Sequence, residues 1–179
     1  MKRVALLIGA MLVVPLAYPQ NPVGTGLYPP NKNFEDEPAW KEQQEVTPPA
    51  YPKDENLKEF YVSATETNTF MIDSTSLSVG TDNVVRYVLV IKMTGGAKNV
   101  SYEGINCRER MWKLYATGRI DGTWAPVRNA AEWRRIENKM VNRHHMALSK
   151  DLFCPLGTNI RTADEGRNAL RLGKHPDVN

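Results

Sequence analysis

The strongest hydrophobic signal runs from Val84 to Met93, where Val-Val-Arg-Tyr-Val-Leu-Val-Ile-Lys-Met is apolar on both alternating faces at its centre. Such a run predicts a strand inside a sheet, with something covering each side. Upstream, Phe70 and Ile72 alternate over Thr69–Asp73, and Leu77 and Val79 continue the alternation in the opposite phase. A bulge near Ser74–Ser76 reconciles the two phases. Glu59–Ala64 is a further short β-prone run, and Gly80-Thr81-Asp82-Asn83 supplies a turn. Gly95-Gly96 turns the chain into Val100–Cys107, and Asp121-Gly122 is a second turn signal. Between them, Met111–Ile120 sets Trp112, Leu114 and Ala116 against Arg110, Lys113 and Thr117. The pattern predicts an antiparallel meander of five or six strands.

After Pro126 the period changes. Ala130, Trp133, Ile136 and Met140 recur at helical spacing around Ala130–Lys139. Met146, Leu148 and Leu152 do the same in Asn142–Phe153, which Pro155 stops. Strands followed by helices predict an α+β domain with a C-terminal helical segment packed on the sheet.

The flanks are of different texture. Lys2 and Arg3 precede an apolar run from Val4 to Leu16, the layout of a secretory signal peptide over residues 1–17. That run is too short to span a bilayer, which takes about 20 apolar residues. Residues 18–56 form a proline-rich, acidic lead-in, read as partly disordered. Its aromatics Phe34, Trp40 and Tyr51 are expected to dock it onto the domain. The domain itself is placed at residues 57–160, with 161–179 as a flexible tail because Gly166, Gly173 and Pro176 sit in a charged setting.

The chain has two cysteines, Cys107 and Cys154. An even count behind an export signal predicts a disulfide, which would tie the fourth strand to the end of the helical segment. Removing Lys2 and Arg3 lowers the formal charge from +3 to +1, so whole-chain basicity is no argument for nucleic acid. Charge is local instead. Between Arg108 and Arg143 lie nine cations, Arg128 among them, against four anions, with Trp112, Trp124 and Trp133 interspersed. The residues expected to meet a partner are Arg110, Trp112, Arg134, Arg135 and Arg143. An acidic lead-in lying over this stretch and masking it is a further possibility.

Other chemistry is weakly signalled. His144 and His145 are adjacent and cannot chelate one ion well from a helix, so packing or solvation is expected of them. Asp73 and Glu103 are candidates for paired carboxylates across the sheet, against a bland role on a polar rim. No motif calls for a metal or a cofactor.

The block Phe70-Met-Ile-Asp73, Ser76-Leu-Ser-Val-Gly80, Asp82-Asn-Val-Val-Arg-Tyr-Val-Leu-Val90 and Asn99-Val-Ser-Tyr-Glu-Gly-Ile-Asn-Cys107 resembles the cryptic neisserial protein family. Leu114-Tyr-Ala-Thr-Gly118, Asp121-Gly-Thr-Trp124, Trp133-Arg-Arg-Ile136 and Asp151-Leu-Phe-Cys-Pro155 extend the resemblance over about Pro49 to Pro155. It implies an exported bacterial protein without an established biochemical role, and it transfers no catalytic residue. A looser similarity is to surface-adhesin protein E domains. This implies an antiparallel sheet with a helix pinned across it by a disulfide, and a partner-binding life. The chain has no lipid-attachment Cys near the signal, which favours a soluble periplasmic location over an outer-membrane or extracellular one.

The expectation is therefore an exported binding or accessory protein, not an enzyme. Its partner would be an envelope protein or an anionic envelope component. The alternatives are an envelope enzyme with an atypical site and a structural domain that self-associates through sheet edges.

Overall fold

The computed structural model describes residues 40–43, 45–127 and 132–178. The proposed signal peptide, the first part of the lead-in with Phe34, and Arg128 and Ala130 lie outside the described residues. Six strands follow one another across an antiparallel sheet in chain order: β1 Leu57–Glu59, β2 Thr69–Val79, β3 Val84–Lys92, β4 Lys98–Asn106, β5 Met111–Gly118 and β6 Trp124–Pro126. A two-residue strand, β7 (Arg134–Arg135), also pairs with β5. Of the expected run Glu59–Ala64 only Glu59 is in a strand; the β1 ladder ends there.

The phase problem in β2 is solved by a bulge. Its register to β3 shifts between Asp73 and Ser78, so Phe70, Ile72 and Leu77 all reach the same core. Polar side chains replace the lost ladder bonds there, as buried backbone groups require. Ser76 Oγ accepts from Val88 N at 2.8 Å and donates to Asp73 O at 2.7 Å. Asp73 Oδ1 accepts from Thr75 N and Thr75 Oγ1 at 2.9 and 2.6 Å.

β3 is covered on both sides. Val85, Tyr87 and Leu89 face one core with Ile72, Ile105 and Trp112, under the helical layer. Val88 and Val90 face the other with Val100, Tyr102 and Ala116. The cover on this second face is the end of the lead-in, which contributes Val46 and Tyr51, with Leu57 at the start of β1 beside them. Hydrogen bonds fasten it: Trp40 Nε1 to Asp82 O at 2.7 Å, Trp124 Nε1 to Pro49 O at 2.9 Å and Tyr51 Oη to Arg119 O at 2.9 Å. Asp82 anchors the same strap to the β2–β3 turn. Its carboxylate accepts from Gln43 N and Val84 N and pairs with the buried Arg86. Trp40 and Tyr51 thus dock the lead-in, and each fully buried Val beneath it stabilises the fold by about 1.5–3 kcal/mol.

The helical layer begins with α1 (Arg143–Ala147), which runs directly into a π-helical stretch, Leu148–Phe153. Leu148, Leu152 and Phe153 point into the first core. Cys154 at its end is joined to Cys107, just past β4, with a Cα–Cα distance of 5.4 Å. A cross-link closing a loop of sequence separation 47 stabilises by about 4 kcal/mol in the chain-entropy description.

Two expectations are corrected. The described part of Ala130–Lys139 is not helical, since Arg134 and Arg135 pair with Trp112 and Met111 as an edge strand. A free edge of β5 gives this backbone partners that an isolated ten-residue helix lacks. Nor is the segment after residue 160 frayed. Helix α2 (Ala163–Leu172) is capped by Thr162, whose Oγ1 accepts from Glu165 N, and ends at Gly173 in the left-handed conformation. Gly166, Ala169 and Leu170 are buried. His175 N donates to Asp151 O at 2.7 Å, tying the following residues down as well.

Candidate functional site

The sheet and helical layer meet around a buried polar pair. β4 carries Glu103 on the helix-covered face, and α1 presents His145 opposite it, with His145 Nε2 and Glu103 Oε2 2.8 Å apart. Both residues are under 5 % exposed. Ser101 Oγ donates to Oε1 of the same carboxylate at 2.7 Å, and Tyr87 Oη to Oε2 at 3.3 Å. Burial alone would raise the Glu103 carboxyl, but the His145 ring and the Ser101 bond bring it below the usual carboxylate range. A stack continues outward from this pair. Trp112 lies flat on His145 with centroids 3.8 Å apart, and the Arg134 guanidinium sits 5.6 Å from the Trp112 ring.

His144 turns the other way along the sheet and stacks on Phe70, centroids 5.3 Å apart. Adjacent helical positions diverge by about 100°, which is why the two imidazoles serve different neighbours. Burial, and secondarily the His145 ring, lower the His144 pKa to about 4. Its imidazole is therefore neutral at pH 7. Asp73 and Glu103 do not form a pair: Asp73 is occupied by Thr75, and Glu103 by His145.

The residues expected to meet a partner separate into two groups. Arg110, Arg134 and Arg135 gather at the β5–β7 edge, where Ile136 N also donates to Arg110 O at 2.9 Å, and all three are exposed. Arg143 points away to the loop before β2, with Nη1 at 3.2 Å from Ser63 Oγ and 3.3 Å from Thr65 Oγ1. Trp112 is 6 % exposed and belongs to the interior. Strand alternation puts it on the helix-covered face, where it supports Arg134 rather than offering its own ring.

The other tryptophans of this stretch are also engaged. Trp133 packs edge-on against Trp40 and donates to Glu42 Oε2 at 3.0 Å. Glu42 accepts further from Lys113 Nζ at 2.8 Å and Tyr115 Oη at 2.9 Å. Burial works against its ionisation, yet these donors lower its pKa overall. The acidic lead-in thus neutralises Lys113; no described lead-in carboxylate reaches Arg110, Arg134 or Arg135.

One family model, that of the CNP1-like family, matches residues 35–171. The chain belongs to the CNP1-like family. That is compatible with the resemblance carried by the Phe70–Cys107 block. Neither a curated protein nor a solved structure matches the chain, so the looser similarity to surface-adhesin protein E domains gains no support. In this CNP1-like fold the family match takes in the docked end of the lead-in and nearly all of α2, both outside the expected domain limits of 57–160. Sequence reasoning missed the Glu103–His145 pair, which joins positions 42 residues apart. The only available signal was a Glu in a strand that alternates apolar residues toward the same face.

Proposed function

We propose that this CNP1-like protein is an exported binding or accessory protein of the bacterial envelope, without catalysis of its own. It engages an anionic partner through Arg110, Arg134 and Arg135. One observation carries the reading. Among the described residues these three guanidiniums form no ion pair and no side-chain hydrogen bond, whereas Arg86, Arg161 and Arg167 are paired with carboxylates. Arg143 and Arg171 are held by neutral side-chain oxygens. Unpaired arginines gathered on one edge suit carboxylate, phosphate or sulfate groups.

Backbone conformation supports the same edge. Arg110 has φ 54°, in the left-handed region that glycine or asparagine fills more readily. An arginine held there in place of glycine, at the close of the β4–β5 turn, costs about 1 kcal/mol, which favours a use for its side chain. The disulfide agrees with an oxidising compartment. No helix among the described residues is long and apolar enough to cross a membrane. The sealing of the Glu103–His145 pair in the interior, away from any substrate, supports the non-catalytic reading.

The test is affinity capture from detergent-solubilised envelope, with the oxidised protein as bait and R134E/R135E as the control. A component held by the native bait, released by salt and lost by the control supports the reading. Equal capture by both baits, or none by either, overturns it.

A further inference from the structure

A cleft of about 450 Å³ opens beside α1, on the side away from the basic edge, and His144, Phe70, Ile91, Met93 and Met140 line it. Met93 and Met140 are 45 % and 74 % exposed, and no other methionine among the described residues is exposed. Both of these solvent-facing thioethers therefore belong to the same cleft as the imidazole. Met140 opens the short turn that leads into α1, and it lines the cleft together with His144. Met93 follows β3 two residues after Ile91, and alternation sends 91 and 93 to the same side.

We infer that Met93, Met140 and His144 form a three-donor site for a single soft monovalent metal ion, Cu(I). Thioether sulfur selects Cu(I) over zinc and the hard cations, and imidazole nitrogen is a good copper ligand. Neither ring nitrogen of His144 makes a hydrogen bond with another described residue, so the ring has a lone pair to give. Glu66 at the mouth offsets the charge of the ion, against Arg143, which Thr65 holds at the rim. The stronger competitors for a soft metal, the two thiols, are consumed in the disulfide. Phe70 and Ile91 exclude water from one side, which favours a low coordination number. No electron transfer is involved: the ion enters and leaves as Cu(I).

The experiment offers Cu(I) to the oxidised full-length protein, anaerobically, as its coloured bicinchoninate complex. One ion per chain is withdrawn by the native protein, and affinity falls by at least about tenfold in M93L/M140L. Leucine conserves methionine's volume and apolarity, and an unchanged thermal melt confirms that the variant is folded. X-ray absorption of the loaded native protein shows sulfur and nitrogen scatterers, with the sulfur lost in the variant. Failure to withdraw Cu(I), withdrawal that M93L/M140L does not weaken, or a copper shell without sulfur overturns the assignment.

Discussion

His145 and Glu103 are held 2.8 Å apart in the interior, 42 residues separated in sequence, and they join the helical layer to the middle of the sheet. Removing one member leaves the other buried with its partner gone, along with the Ser101 and Tyr87 donors. Glu103→Ala is expected to cost about 3–5 kcal/mol. The double variant Glu103→Leu/His145→Leu is expected to lose less than Glu103→Ala, since no isolated polar group remains. Urea denaturation of the three proteins checks this. A double variant less stable than the single one would show that the pair is worth more than its desolvation costs.

Acid should loosen the same region. His144 binds its proton near pH 4 in the fold but at about 6.5 when unfolded. Below pH 6.5 the unfolded chain takes up the proton first, so stability is lost as pH falls from 6.5 toward 4. The shift amounts to roughly 3 kcal/mol. Glu103 acts in the same direction at lower pH: its depressed carboxyl contributes stability above the unfolded value of 4.5, lost as pH falls through the folded one. His144→Leu is expected to flatten the decline between pH 6.5 and 4.5. Parallel stability–pH curves for the two proteins would contradict it.

Gly166 gives a test of how α2 docks. A helical glycine replaced by alanine ordinarily gains close to 1 kcal/mol. Here an added Cβ would come within 2.5 Å of Leu77 Cδ2 and 2.6 Å of Ile160 Cδ1, both in the core. Overpacking of that kind costs about 1–3 kcal/mol. Gly166→Ala should therefore lower the melting temperature, and a raised one would mean that α2 packs loosely.

Arg110 separates binding from folding. Arg110→Gly relieves the left-handed backbone and is expected to raise stability by up to about 1 kcal/mol. The same change should weaken capture of the anionic partner. A variant that is more stable and captures equally well would remove Arg110 from the contact edge.

Much of the sheet was legible because strands write their burial into alternate positions. The opposed phases of Phe70–Ile72 and Leu77–Val79 demanded the bulge that Ser76 fills. The two-sided apolar centre of β3 demanded two covers, although the sequence did not identify the strap as the second. Ala130–Lys139 misled because helical spacing on a short segment yields to an available sheet edge at Met111 and Trp112. The glycines and charges after residue 160 suggest a frayed tail, but they belong to a capped helix. Thr162 and Glu165 form a start signal, Gly173 a stop signal, and Gly166 is small because Leu77 and Ile160 crowd it. The site was the least legible part. Arg134 and Arg135 are legible from local charge, and both are exposed in the fold. The partners of Trp112 and His145 depend on the crossing of α1 over β4 and β5, which no local pattern records.

The bond between Cys107 and Cys154 closes a ring that contains β5, β6, β7, α1 and the whole basic edge. Arg134 and Arg135, exposed on that edge, are what a trypsin-like protease cuts after. A single nick there opens the ring without releasing a fragment: the molecule keeps its mass and both halves stay attached until a reductant arrives. A nick in the lead-in or beyond Cys154 has no such safeguard. The arginines that face outward are also the ones whose peptide bonds can be severed without the pieces parting.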